Sequence, residues 1–387
     1  MPLPTIPAGD YPGEKIISIK RIQSIDFLRG LVMVFMALDH TRTFLHSSYT
    51  QFNAEDLTQP NPALFFTRWI THFCAPVFIF LTGTSAYMLL QKIKSQKKLF
   101  DFLLTRGFIL LLLELTLFRF CWQPWASFFQ PFILLPVIWA IGWSMIFLAF
   151  LIWLPYRAIL IFGLAVLFLH NTLSGIHFAE GSGADIFWAF FYRGGIAEIP
   201  GHITVLFLYP VLPHFSLIAL GFCLGYIYDS SFTYTRRKKI LLGLGSIAIF
   251  LFIILRYFNI YGDPRPWVAG QNTIYTIMAF LRTTKYPLSL LYAFMTLGPA
   301  LIILGLIEPV KNRLIHFFIT IGSAPMFYFI LHLVLLVLLG YIIGFNKYNL
   351  ATVYAWFVTI VVILFFLCKW YSKYKFRHPE KKWLKFL

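Results

Sequence analysis

The sequence predicts an all-α polytopic membrane protein: a bundle of about ten transmembrane helices, with an eleventh open and both termini in the cytoplasm. Three observations carry this. Of 387 residues, 59% are hydrophobic and 12% charged, whereas an ordinary soluble domain carries about 25% charged residues. Apolar runs of about 20 residues, the length that crosses a bilayer as a helix, recur along the chain. Lys and Arg collect between alternate runs, as they do in cytoplasmic loops.

The chain opens on a polar, Pro-rich segment, residues 1–23, expected in the cytoplasm and lacking the pattern of a cleavable signal peptide. Spans are expected near 24–45, 63–90, 101–119, 130–153, 158–173, 203–228, 240–258, 286–307, 314–343 and 351–372. Only helices suit these runs, which are too long for barrel strands and do not alternate apolar with polar. Pro131 and Pro136 mark a place where the fourth span can break, leaving an extra crossing or a re-entrant piece. A single transmembrane domain, 24–372, is followed by a basic cytoplasmic tail, 373–387.

The net charge of +17 tests this topology. Roughly two-thirds of the Lys and Arg fall on one face of the ten-span arrangement: Lys15, Lys92 to Lys98, Arg106, Arg236 to Lys239, Lys311 and the tail. The other face holds only scattered cations such as Arg193, Arg256, Arg265, Arg282 and Lys285. Short clusters between apolar runs do not make a nucleic-acid surface, so no nucleic-acid partner is expected; the bilayer is. Cys74, Cys121, Cys223 and Cys368 show no CxxC spacing, which argues against a disulfide framework or a zinc site. No internal repeat is evident. The outer loops 171–202 and 259–285 are rich in Gly, Pro and aromatic residues and suit a lid or an acceptor groove.

A charge in hydrocarbon costs at least about 2.5 kcal/mol, so each one needs a reason. The first span holds Asp26, Arg29, Asp39, His40 and Arg42. Arg29 and His40 are eleven residues apart, which puts them on one helix face about 16 Å apart along the axis. Asp26 sits one turn below Arg29 and can pair with it. Arg29 near the cytoplasmic end suits either snorkelling or a phosphate contact. His40 in the outer half suits either a satisfied bundle histidine or a general base. Arg68 and His72 in the second span, Glu114 in the third and His332 in the ninth fall at similar depth, so His40, His72, His332 and Glu114 can share one layer. That layer reads either as packing polarity or as chemistry. No HxxxH or HExxH spacing supports a metal among them. The run Gly83, Thr84, Ser85, Ala86 reads as a close helix contact.

The stretch SIDFLRGLVMVFMALDH (Ser24–His40) resembles the opening helix of the transmembrane acyltransferase superfamily. RWITHFCAPVFIFLTGTSAY (Arg68–Tyr87), KYPLSLLYAFMTLGPALIILGLIE (Lys285–Glu308) and GSAPMFYFILHL (Gly322–Leu333) resemble more closely the bacterial relatives of heparan-alpha-glucosaminide N-acetyltransferase. The resemblance implies ten or eleven helices and transfer of an acyl group, acetyl first, from a cytoplasmic acyl-CoA co-substrate to a sugar or glycan acceptor on the far side. It also implies a bacterial cytoplasmic (inner) membrane, with a homodimer as a further expectation and no metal. The lysosomal enzyme of this group has Asn where this chain has His40, and its reactive histidine follows in the next loop. Gln51 stands at about that offset here and His46 only nearby, so a covalent acetyl-histidine does not carry over. The roles this leaves are His40 as direct base, Asp39 or Glu114 orienting it, and His72 or His332 polarising the thioester carbonyl. Arg29, with Asp26, Arg42 and Arg68 as neighbours, would serve the donor. The competing reading is a proton-coupled transporter using the same His, Asp and Arg set. Acceptor-dependent release of coenzyme A distinguishes the two.

Overall fold

The computed structural model describes residues 22–47, 61–123, 130–378, 380–381 and 384. Gln51, Glu55, Asp56, Lys15, Lys20 and Arg21 lie outside them.

The helix with Asp, Arg and His spread along its length is also the most central. Helix α1 (Gln23–Leu45) buries most of its length. It packs against α2 (Pro62–Thr71), α3 (Cys74–Ile93), α12 (Leu290–Ile307), α13 (Arg313–Gly322), α14 (Pro325–Ile343) and α15 (Leu350–Arg377). Protein rather than lipid therefore surrounds its Asp, Arg and His side chains, as an intramembrane charge requires. Around it run α4 (Gln96–Leu113), α5 (Arg119–Trp122), α6 (Val137–Leu151), α7 (Tyr156–Leu169), α8 (Gly183–Trp188), α9 (Val211–Leu224), α10 (Tyr234–Tyr257) and α11 (Thr273–Leu281).

Seven helical stretches among the described residues are long and apolar enough to cross a membrane, and Val137–Leu151 and Arg313–Gly322 are shorter apolar helices. The α7, α10 and α15 stretches bury the least. They turn outward Ile161, Leu169, Ile247, Phe250, Val358 and Phe366, all large, apolar and exposed. Such a surface suits lipid and not water. The protein is a helical membrane protein.

Several expected spans are interrupted. The second breaks at His72 and Phe73 between α2 and α3, and the ninth at Ser323 and Ala324 between α13 and α14. Pro325 opens α14 at a position where a proline's missing N–H costs nothing. The third passes through a π turn, Glu114–Phe118. The all-helical expectation is corrected in one place, where β1 (Phe132–Leu135), β2 (Gly195–Ile199) and β3 (Ile203–Phe207) form one sheet in the order β1-β3-β2. β1 pairs with β3 in parallel and β2 with β3 antiparallel. The β2–β3 turn passes through Gly201 at φ +97°, a backbone that glycine adopts without strain. Expected spans four and six had absorbed β1 and β3. Pro136 and Pro210 cap α6 and α9 and keep the helices from extending back through the strands.

The loop from α10 to α12 is built on a buried ion pair. The Arg256 guanidinium donates to the carbonyls of Phe280 (3.0 Å), Ala279 (3.0 Å), Arg265 (2.6 Å) and Arg282. It lies 3.8 Å from the Asp263 carboxylate, whose side chain is 1% exposed. Asp263 in turn accepts from Thr284 N–H (2.7 Å), Thr284 Oγ1 (2.9 Å), Ser289 Oγ (2.8 Å) and Arg265 N–H (2.9 Å). Asp263→Ala leaves Arg256 charged and uncompensated, so it is expected to cost about 3–5 kcal/mol. Thermal unfolding in detergent, compared with the wild type, measures this.

Candidate active site

His40 sits five residues before the C-terminal end of α1, and His332 reaches it from α14. Their ring nitrogens, His40 Nδ1 and His332 Nε2, are 2.7 Å apart, and the rings stack with centroids 4.9 Å apart. His332 is fully buried and its Nδ1 lies 3.1 Å from the Tyr328 carbonyl. A carbonyl only accepts, so His332 Nδ1 carries a hydrogen. With both rings neutral, His332 Nε2 is then a lone pair and His40 Nδ1 donates to it. His40 is left with a lone pair on Nε2, which makes no hydrogen bond among the described residues. Trp122 packs edge-on to the His40 ring at 4.9 Å and Phe329 at 6.4 Å, which fixes its plane.

A cavity of about 50 Å3 opens beside this ring. Its walls include Val32, Met36, Asp39 and His40 of α1, Thr71, Cys74 and Phe78 around the α2–α3 break, Ile138 and Ile141 of α6, and Tyr209, Lys285 and Phe329. The strands matter here: β1 leads into α6 and β3 ends two residues before Tyr209. Cys74 is committed elsewhere, its thiol donating to the Val32 carbonyl at 3.1 Å.

The other expected site residues divide. Asp39 lines the cavity, but its carboxylate is held by Arg42 (3.2 Å) and by a short bond from Arg68 Nη1. Asp39, Arg42 and Arg68 thus form one cluster beside His40. His72 is buried next to Tyr292, whose hydroxyl donates to the His72 carbonyl at 2.8 Å, and is not on the cavity wall. Glu114 accepts the Trp139 N–H at 3.2 Å at the head of α6 and is likewise off the wall. Of the expected four-residue layer, the described hydrogen bonds join only His40 and His332. Arg29 reaches Asp26 (3.0 Å), the Gly322 carbonyl (3.2 Å) and Ser85 Oγ (2.8 Å), tying α1 to α13 and α3. The cavity wall stops at Val32, one turn short of it. Among the described residues no group of three or more His, Cys, Asp or Glu is arranged to hold a metal.

Sequence reasoning missed Lys285, Tyr209 and Tyr286 as site residues. Lys285 was assigned to an outer loop from the charge pattern, yet it is 7% exposed and lines the cavity. Tyr209 and Tyr286 hydroxyls lie 3.3 Å apart beside it. A Lys in an apolar stretch such as TTKYPLSLL is the signal that was available. A second, larger cavity of about 500 Å3 lies in the 259–282 loop, lined by Arg256, Arg265, Trp267, Gln271, Tyr275 and Arg282, with no carboxylate among the described residues of its wall.

A family model described as heparan-alpha-glucosaminide N-acetyltransferase, catalytic, matches residues 21–256, more than half of the chain. It covers His40, Asp39, Arg42, Arg68, His72 and Glu114; Lys285 and His332 fall beyond it. No individual curated protein matches the chain.

Proposed function

The chain belongs to the heparan-alpha-glucosaminide N-acetyltransferase catalytic family, which makes it a membrane acetyltransferase, and we propose that it moves the acetyl group of cytoplasmic acetyl-CoA to a sugar or amino sugar on the far side of a bacterial inner membrane. The observation that supports this best is His40, which lines the cavity and whose Nε2 is left as a proton acceptor by the His332–Tyr328 chain.

In this reading the thioester end of the donor enters the cavity. His40 Nε2 takes the proton from the acceptor amine or hydroxyl as it attacks the thioester carbonyl. A C–N or C–O bond forms, the C–S bond breaks, and the proton passes from His40 to the departing thiolate. His332 acts through His40 as a positioning residue. Asp39 serves by holding Arg42 and Arg68, which leave the neighbourhood with an excess of positive charge. At the cytoplasmic foot of α1, a donor phosphate would exchange with Asp26 and Ser85 for the Arg29 guanidinium, with Arg106 of α4 within electrostatic range. The acceptor would arrive from the outer side, where the Arg- and Trp-lined cavity of the 259–282 loop offers it a polar seat.

The test is coenzyme A release from purified protein in liposomes, assayed with and without a panel of sugars. Release that depends on a sugar, with the acetylated sugar recovered, is expected; release indifferent to every sugar would remove the proposal. Cavity size gives a further expectation. About 50 Å3 by this measure holds a few waters, which suits a two-carbon acyl group. Acetyl-CoA is expected to exceed butyryl-CoA in kcat/KM by at least about tenfold, read from competing donors in one assay.

A further inference from the structure

Lys285 has no part in the chemistry set out above, yet among the described residues it is the only lysine on the cavity wall. Its residue is 7% exposed, and its ammonium makes no hydrogen bond or ion pair among the described residues. The face of Tyr286 lies 5.1 Å from the ammonium. It lies within electrostatic range of both His40 and Asp39. A buried lysine is costly unless something compensates it, and Asp39 is already shared by two arginines. The charge is therefore held there in excess.

The backbone around it is held equally firmly. Thr284, its neighbour, is bonded twice to Asp263. Ser289 is bonded to the same carboxylate and to the Thr284 carbonyl. Arg282 is held through its carbonyl by Arg256, and Tyr286 by the Tyr209 hydroxyl. The buried Arg256–Asp263 pair thus braces both sides of one lysine, which lines the same cavity as His40. A rigid donor aimed at a small cavity stabilises charge that develops during a reaction, because no reorganisation is needed when the charge appears.

We propose that Lys285 is a further catalytic residue, which binds the acyl carbonyl oxygen of the thioester and stabilises the oxyanion formed when the acceptor attacks. This rests on the acetyl-transfer reading. The acceptor N or O bonds to the carbonyl carbon and its proton goes to His40 Nε2. The carbonyl electron pair moves onto oxygen beside the Lys285 ammonium. The pair then returns, the C–S bond breaks and the thiolate takes the proton from His40. Lys285 keeps its own proton throughout.

Lys285→Met and Lys285→Arg test it in the full chain, reconstituted with acetyl-CoA and the sugar that the wild type accepts. Lys285→Met is expected to lower kcat by about 100-fold, with KM for acetyl-CoA changed less than threefold; Lys285→Arg is expected to recover part of that loss. A loss confined to KM, or kcat within threefold of the wild type in Lys285→Met, overturns the proposal. Infrared difference spectra with 13C-labelled acetyl-CoA supply a readout that a merely structural role would not move. The thioester carbonyl stretch is expected to fall on binding to the wild type and to Lys285→Arg, and not to Lys285→Met. Should Lys285→Met fail to insert, Lys285→Gln takes its place in both measurements. If the wild type itself acetylates no sugar, the parent reading fails. If it does and Lys285→Met matches it, only this inference fails.

Discussion

Replacing His40 with Ala is expected to lower acetyl transfer by at least about 1,000-fold while the protein still folds and inserts. General-base contributions of a positioned imidazole run to about 10²–10⁴-fold, and the geometry here places His40 at the upper end. Its ring lines the cavity, its plane is set by Trp122 and Phe329, and its tautomer is set by His332. His332→Phe keeps an aromatic ring at the same place but offers no acceptor to His40 Nδ1, so the free nitrogen is no longer specified. A smaller loss, on the order of 100-fold, is expected, with KM for the donor unchanged. Turnover within tenfold of the wild type in His40→Ala, at equal detergent-extracted yield, would remove His40 from the chemistry.

Gly83→Ala and Gly221→Ala are each expected to cost about 3 kcal/mol or more, enough to lose most of the folded protein. The α3 and α9 backbones touch. A Cβ at Gly83 would sit 2.0 Å from the Ile218 carbonyl oxygen, and one at Gly221 would sit 1.9 Å from that of Phe80. Neither obstacle is a side chain that can turn aside. The same contact carries a hydrogen bond, Thr84 Oγ1 donating to the Gly221 carbonyl at 2.9 Å. Small residues at such crossings let helices meet by van der Waals packing in lipid, where no hydrophobic force drives them together. α1 and α13 meet in the same way: a Cβ at Gly30 would lie 1.9 Å from Phe318 O, and one at Gly322 would lie 1.9 Å from Asp26 O. Gly243→Ala in α10 is the control, since nothing lies within 4 Å of its Cβ position. It is expected to be neutral or to stabilise by about 0.5–1 kcal/mol. Thermal melts of the three variants read out the contrast.

Composition made the membrane class legible, because no soluble core absorbs so many apolar residues. Position made α1 legible, because charges survive in hydrocarbon only where protein surrounds them. The close contact at Gly83 was also readable from its small-residue run. The strands were not. ITVLF before Tyr209 and Pro210 has the hydropathy of the helix that follows, and an apolar run of a few residues does not tell strand from helix by periodicity. Depth along parallel helices suggested a layer of four residues, yet depth says nothing of the angle at which each side chain leaves its helix. So His332 meets His40, while His72 turns to Tyr292 and Glu114 to the head of α6. Lys285 was hidden because a cation beside outer loops counts toward topology, and the Asp263 bonds that hold its neighbours Thr284 and Ser289 leave no mark in the sequence.

The bond between His40 and His332 joins positions 292 apart in the sequence. In the proposed reaction the base therefore comes from the first described helix of the bundle and its aligner from the second-to-last. A polypeptide severed after Tyr257 would retain the imidazole and most of the recognisable family signature, yet be chemically inert. Supplying the missing portion as a separate chain should restore turnover only in so far as the two halves find each other within the bilayer. Activity in such a split protein would then report assembly.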